Sequence, residues 1–168
     1  ILLRLVDTFT IIPSLLMTII LVSVLGTNLF NLMIALSIST IPVITRITRA
    51  SVMVTRNNDY IESARAIGAP VHTILLKHVL PNCFSPILVQ ATLRVGTSII
   101  SAAGLSYIGF GVPLPTPEWG ALLSASKSFI INAQHMCLFP GLAIMITVMV
   151  INLVGDGLRG ALDPKLKR

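Results

Sequence analysis

Four apolar runs limit what this chain can fold into. They cover about 8–25, 28–45, 84–103 and 136–154 of the 168 residues. Coiled as a helix, about 20 residues cross the roughly 30 Å hydrocarbon core of a bilayer, and each run has that length or nearly so. None sustains the two-residue alternation of a half-buried strand. Charged residues make up 11% of the chain and hydrophobic ones 54%, whereas a soluble domain carries roughly 25% charged residues. So few charges cannot coat a soluble surface of this size. The expected fold class is all-α, a polytopic membrane helical bundle forming a single transmembrane domain over 1–168. Pro13 falls near the start of the first run and Pro42 in the last turns of the second. Membrane helices accept such prolines with a kink.

The basic residues orient the spans. Net charge is +6, yet no solvated basic groove interleaved with aromatics is visible, and aromatics are only 5%. A nucleic-acid partner is therefore not expected. If 46–83 faces the cytoplasm, then Arg4, Arg46, Arg49, Arg56, Arg65, Lys77, Arg159, Lys165, Lys167 and Arg168 all lie inside. Lys127 alone lies outside, and Arg94 falls within a span. This positive-inside asymmetry runs the first and third spans outward, the second and fourth inward, and leaves both ends cytoplasmic. Cys83 and Cys137 then sit at opposite faces, out of disulfide range. The sequence begins Ile-Leu-Leu-Arg without an initiator Met, and a segment upstream is expected.

The polar segment 46–83 has the punctuation of a bracket. Asn57, Asn58 or Asp59 can cap a short helix through Ala66. Gly68 permits the left-handed residue that ends it. Pro70 suits the first turn of a second helix over 70–78, which Pro81 should stop before a span starts at Phe84. Ala64 and Ala66 would allow close approach by a partner, and Glu62 and Arg65 would give directional contacts. The physics alone is equally met by an ordinary amphipathic interfacial segment. The outer connection 105–135 holds Gly109, Gly111, Pro113, Pro115, Pro117 and Gly120. Such density makes a shaped loop, with room for a short interfacial helix over 121–128 anchored by Trp119.

Several strings, in order, resemble one family. They are Arg4-Leu5-Val6-Asp7 with Pro13, the stretch from Arg46 to Arg49, and Glu62 through Leu80-Pro81-Asn82. Further along come Ala103-Gly104-Leu105-Ser106-Tyr107-Ile108-Gly109-Phe110-Gly111, Pro115-Thr116-Pro117-Glu118-Trp119-Gly120, Phe139-Pro140-Gly141 and Gly155-Asp156-Gly157-Leu158-Arg159 with Leu162-Asp163-Pro164. Together they resemble the second permease subunit of dipeptide/oligopeptide/nickel-type ABC importers, over essentially the whole chain. Ser63 stands where the family's EAA triplet has its middle Ala, Ala102 where many members carry an acid, and Gly160 where Asp is common. The resemblance implies a type I permease fold of six spans, the first two lying upstream of this sequence.

The resemblance also implies an ATPase-docking loop drawn from Asp59, Glu62, Ser63, Ala64, Arg65, Gly68, Ala69, His78, Leu80 and Pro81. Implied partners are a homologous permease subunit, two ATP-binding cassette subunits, a periplasmic or lipid-anchored substrate-binding protein and the bilayer of a bacterial inner membrane. The substrate would be a di- or oligopeptide or a related solute. Alternatives are a nickel or metal-chelate importer, or a passive channel with an interaction loop.

The remaining candidates leave their readings open. Arg94 either lines a pore or pairs at an interface between subunits, because an Arg within a span needs water or a partner. Thr97, Ser98, Ser101, Ala102 and Gly104 serve close helix packing or line a pore. His135, Met136 and Cys137 are adjacent on a helix and do not converge on one ion. Asp156 and Arg159 stand three residues apart, a spacing that allows pairing. The chain has no Gly-x4-Gly-Lys-Ser/Thr phosphate loop and no nucleophile–base–acid set, so no catalysis and no cofactor are expected. ATP hydrolysis would belong to the partners.

Overall fold

The computed structural model describes residues 2–162. Asp163, Pro164, Lys165, Lys167 and Arg168 lie outside the described residues, so the part of the charge asymmetry that rests on them is not placed.

Helices α1 (Leu2–Phe9), α2 (Ser14–Leu25) and α3 (Leu29–Thr55) open the chain. The bracket follows, as α4 (Asp59–Ala66) and α5 (Val71–Thr73). A π-helical turn, Ile74–Val79, joins α5 to α6 (Leu80–Tyr107). Then come α7 (Trp119–Ser126), a 3₁₀ turn at Lys127–Phe129, and α8 (His135–Leu162). No strand occurs among the described residues. Three helical stretches are long and apolar enough to cross a membrane: Leu29–Thr55, Val71–Tyr107 and His135–Ala161.

The first expected span divides. Pro13 is extended, at φ −54° and ψ 133°, and a residue preceding proline is pushed out of the helical region. Helix α1 therefore ends at Phe9, and α2 begins only at Ser14. Its 12 residues reach about 18 Å, short of a bilayer core. The second span overruns its expected end at 45 by ten residues, because Pro42 is absorbed inside α3.

Contacts fix an up-and-down arrangement. Helices α2 and α3 form a hairpin in which Asn28 caps α3 by accepting from Asn31 N–H at 2.8 Å. Val22, Leu32, Ala35, Leu105 and Val112 form a buried cluster at that end. The Thr18 and Ser39 hydroxyls, both buried, lie 3.0 Å apart between α2 and α3. Helix α6 runs antiparallel to α3, with Leu105 beside Leu32 at one end and Cys83 beside Thr55 at the other.

Helix α8 returns along α6 through two glycines. A Cβ on Gly96 would stand 3.0 Å from Asn152 Oδ1, and one on Gly155 would stand 3.0 Å from Thr92 Oγ1. Small residues let membrane helices approach this closely. Arg46 and Asp7 pair at 3.9 Å, both well exposed; this is the one ion pair among the described residues. Asp156 and Arg159 do not pair.

The long loop is tied down onto the end of α6. Ser124 Oγ donates to Tyr107 O at 3.0 Å. Lys127 Nζ donates to the same carbonyl and sits 3.9 Å from the Tyr107 ring centre. Val112 N–H donates to Ser106 Oγ. The short helix falls at Trp119–Ser126, two residues ahead of the expected 121–128. Gly120 lies against the α6 backbone, where a Cβ would come within 2.5 Å of Ala103 O.

Candidate functional site

The bracket folds over a core that it shares with the adjoining ends of α3 and α6. Ile61, Ala64, Ile74, Val79 and Cys83 are buried together, with Val52, Ala69 and Ile87 packed against them. Helix α4 starts at Asp59, where Ser63 Oγ donates back to Asp59 O at 2.9 Å. It ends in a Schellman turn. Gly68 N–H donates to Arg65 O at 2.9 Å and Ala69 N–H to Ala64 O at 3.1 Å, which satisfies carbonyls that the helix end would leave open. This closure needs Gly68 at φ +78°, the left-handed conformation read from the sequence.

Pro81 does not end the second helix. A proline lacks the N–H and its ring crowds the carbonyl four residues back. Here the preceding turn widens to a π turn, in which Leu80 N–H donates to Leu75 O. The wider turn relieves the crowding, and the backbone stays helical from Val71 to Tyr107. Asn82 Nδ2 adds a bond to His78 O at 2.6 Å.

The expected docking residues divide by face. Asp59, Glu62, Ser63, Arg65, Gly68, Leu80 and Pro81 are exposed. Ala64 points the other way. It is only 7% exposed and sits in the bracket's core, so its small side chain sets how closely α4 and the π turn approach and does not offer surface to a partner. Ala69 is half-buried against the same core, and the half-buried His78 ring stands 6.4 Å from that of Tyr60. Two residues escaped the sequence reading. Ile67 and Val71, flanking the Gly68 turn, are 84% and 81% exposed and form an apolar tip.

Arg94, Thr97, Ser98 and Ser101 are brought together. All four line a cavity of about 80 Å³ between α2, α3 and α6, which Ser14, Thr18, Ser39 and Thr40 also line. Arg94 and Ser98 also face a larger cavity of about 580 Å³ between α3 and α6. Within this stretch Ala102 packs against the buried cluster of α2, α3 and α6, while a Cβ on Gly104 would meet nothing within 4 Å; the close approach to α8 falls at Gly96. Arg94 makes no hydrogen bond or ion pair within the described residues. Cys137 Sγ turns to Ser126 Oγ, 2.9 Å away, and no group of three or more metal-ligating residues occurs among the described residues.

Long antiparallel apolar helices, a bracket at one end and a largely apolar groove between the helices that carries Arg94 and several hydroxyls define a membrane-embedded permease component. The chain belongs to the family of binding-protein-dependent transport system inner membrane components, whose model matches residues 1–168. It is similar to the glutathione transport system permease protein GsiD of Escherichia coli O157:H7 and of Shigella flexneri serotype 5b (strain 8401). Each is 49% identical over 164 residues, covering 98% of this chain and 54% of the relative. The chain thus spans about half the length of the curated relatives it matches.

Proposed function

We propose that this chain is the translocating permease subunit of an ATP-driven importer of small peptides, glutathione-like solutes among them. The observation that carries this reading is the bracket. A membrane protein gains nothing from folding α4 and the π turn over a core at one end of its bundle, with a polar outer face of Asp59, Glu62, Ser63 and Arg65, unless a partner grips that end. In this reading Asp59, Glu62, Ser63, Arg65, Gly68, Leu80 and Pro81 meet an ATPase subunit, with Ile67 and Val71 entering its groove. The bracket and the C-terminal end of α8 face the cytoplasm of a bacterial cell. A homologous permease completes the pathway, two ATPases supply the energy, and a binding protein delivers solute at the loop end. Arg94, Thr97, Ser98 and Ser101 line the pathway. ATPase closure shifts the population between two packed arrangements of the helices, and this subunit performs no chemistry.

The relatives' name supports a small peptide as cargo, and no observation favours a metal chelate. The test is Glu62→Lys in the full-length subunit within the assembled transporter. Glu62 is exposed, so the charge reversal leaves the chain's own packing intact. Co-purification of the ATPase and solute-stimulated ATP hydrolysis should both fall. Wild-type values of both would reduce the bracket to an interfacial helix pair and favour the passive-channel reading.

A further inference from the structure

We infer that Arg94 is the counter-charge for a carboxylate on the transported solute, held in the groove between α3 and α6. The inference rests on the pathway reading above and adds the chemistry of what the pathway accepts.

The first ground is charge. The chain has six acidic residues: Asp7, Asp59, Glu62, Glu118, Asp156 and Asp163. Of the five among the described residues, Asp7, Asp59, Glu62, Glu118 and Asp156, none lines either cavity that Arg94 faces. The guanidinium is half-buried within a span and has no partner in the described residues. An Arg within a span is costly without an anion or water, and the described residues supply no anion there.

The second ground is the groove's hydrogen-bonding character. Ser37, Thr40 and Thr45 line the larger cavity with Arg94. Each hydroxyl donates to the carbonyl four residues back, Ser37 to Met33 O, Thr40 to Leu36 O and Thr45 to Ile41 O. A hydroxyl has one proton and two lone pairs, so these three present acceptors only. The groove therefore offers a cationic fork in Arg94 and a row of acceptors along α3. That set complements a small molecule with a carboxylate and N–H donors. A guanidinium binds a carboxylate with two parallel hydrogen bonds. About 580 Å³ is within the range of small-molecule sites.

The test uses the full-length subunit in the assembled, reconstituted transporter, with Cys137→Ala as background, Cys83 retained because it is only 1% exposed, and Arg94→Cys as the reporter. Water-soluble methanethiosulfonates place either an ammonium or a sulfonate at that position, and uptake of a free-acid dipeptide is measured. The ammonium adduct should transport about tenfold to a hundredfold faster than the sulfonate adduct, as expected for a hydrogen bond to a charged group. The dipeptide should also slow labelling. Labelling with equal uptake from both adducts would overturn the counter-charge and leave the pathway reading standing. No labelling in the assembled complex would overturn both. Arg94→Gln, which removes the charge and keeps a shorter polar head, should assemble at wild-type yield. Loss of assembly in Arg94→Gln and Arg94→Cys alike would show that Arg94 pairs with a neighbouring subunit's acid, and the proposal would fall.

Discussion

Replacing Gly68 separates backbone strain from surface contact, because the structure leaves only these two effects open. Gly68 has φ +78°, and a Cβ built there meets no atom within 4 Å. Gly68→Val therefore clashes with nothing in the chain, and its cost is conformational. A β-branched residue in that region is strained by roughly 1–3 kcal/mol. The Schellman bonds at Gly68 and Ala69 should open more often by the corresponding factor, about fivefold to over a hundredfold. Gly68→Asn adds similar bulk but tolerates the left-handed region, so its bonds should stay nearly as closed as wild type. Hydrogen exchange by mass spectrometry over 64–70, in detergent and without ATPase, reads this directly. Co-purification of the ATPase reads the second effect, since bulk at a contact weakens both variants equally. If Asn accelerates exchange as much as Val, or Val not at all, the turn does not depend on glycine for its φ, and the strain reasoning fails.

Three further outcomes follow from burial and close approach. Ser128 and Ser63 are both exposed, at opposite ends of the bundle, whereas Ser126 is 2% exposed and unsuitable as a reporter; in whole cells an impermeant thiol reagent should label Ser128→Cys and spare Ser63→Cys, and equal labelling would refute the proposed orientation. Gly120→Ala would bring a Cβ within 2.5 Å of Ala103 O, whereas Gly104→Ala meets nothing within 4 Å; the first should destabilise by about 1–3 kcal/mol and the second not, read as thermal unfolding midpoints in detergent. Ile67→Glu should leave that midpoint unchanged, because the side chain is 84% exposed, yet reduce ATPase co-purification if the apolar tip enters the partner.

The sequence made some of this legible and hid the rest for identifiable reasons. Gly68 could be placed in the left-handed region because helix signals precede it and Pro70 follows, and only glycine meets that demand cheaply. The long helices could be placed because hydropathy needs no tertiary knowledge. Pro81 misled because its penalty is local to an α-helix, while a π turn is an alternative that local rules do not weigh. Ala64 misled because small size does not say which way a side chain points; its position three residues after the buried Ile61 sets that face. Hydropathy runs straight through Pro13, whereas its extended backbone divides the expected span into two helices. Gly96 passed unremarked, and Gly155 stood only within a family string, because their packing role lies in Asn152 and Thr92 on facing helices. Arg94 stood out by charge alone, yet its neighbours along α3 are more than 45 residues away in sequence and emerge only in the folded groove.

The two helices that wall the groove, α3 and α6, also contribute Val52, Cys83 and Ile87 to the bracket's core, and this joins the two proposals mechanically. Backbone helix is continuous from Val71 to Tyr107, so the rod that begins in the bracket also carries Arg94. The other wall of the groove is α3, which enters the bracket at Thr55. The two helices are tied there by Cys83 Sγ at 3.3 Å from Thr55 Oγ1 and by Val52 and Ile87 against the shared core. Arg94 lies 11 residues beyond Cys83, about 16 Å at helical rise. A change of about 10° in the angle between α3 and α6 at the tie would then move Arg94 relative to α3 by about 3 Å. That displacement is enough to break a hydrogen bond, which weakens over a few tenths of an ångström. The π turn at Ile74–Val79 lies on the bracket side of the tie. Bending there would absorb motion before it reached the groove. In the proposed mechanism the packing around Cys83 therefore decides how much of an ATPase-driven movement arrives at the solute.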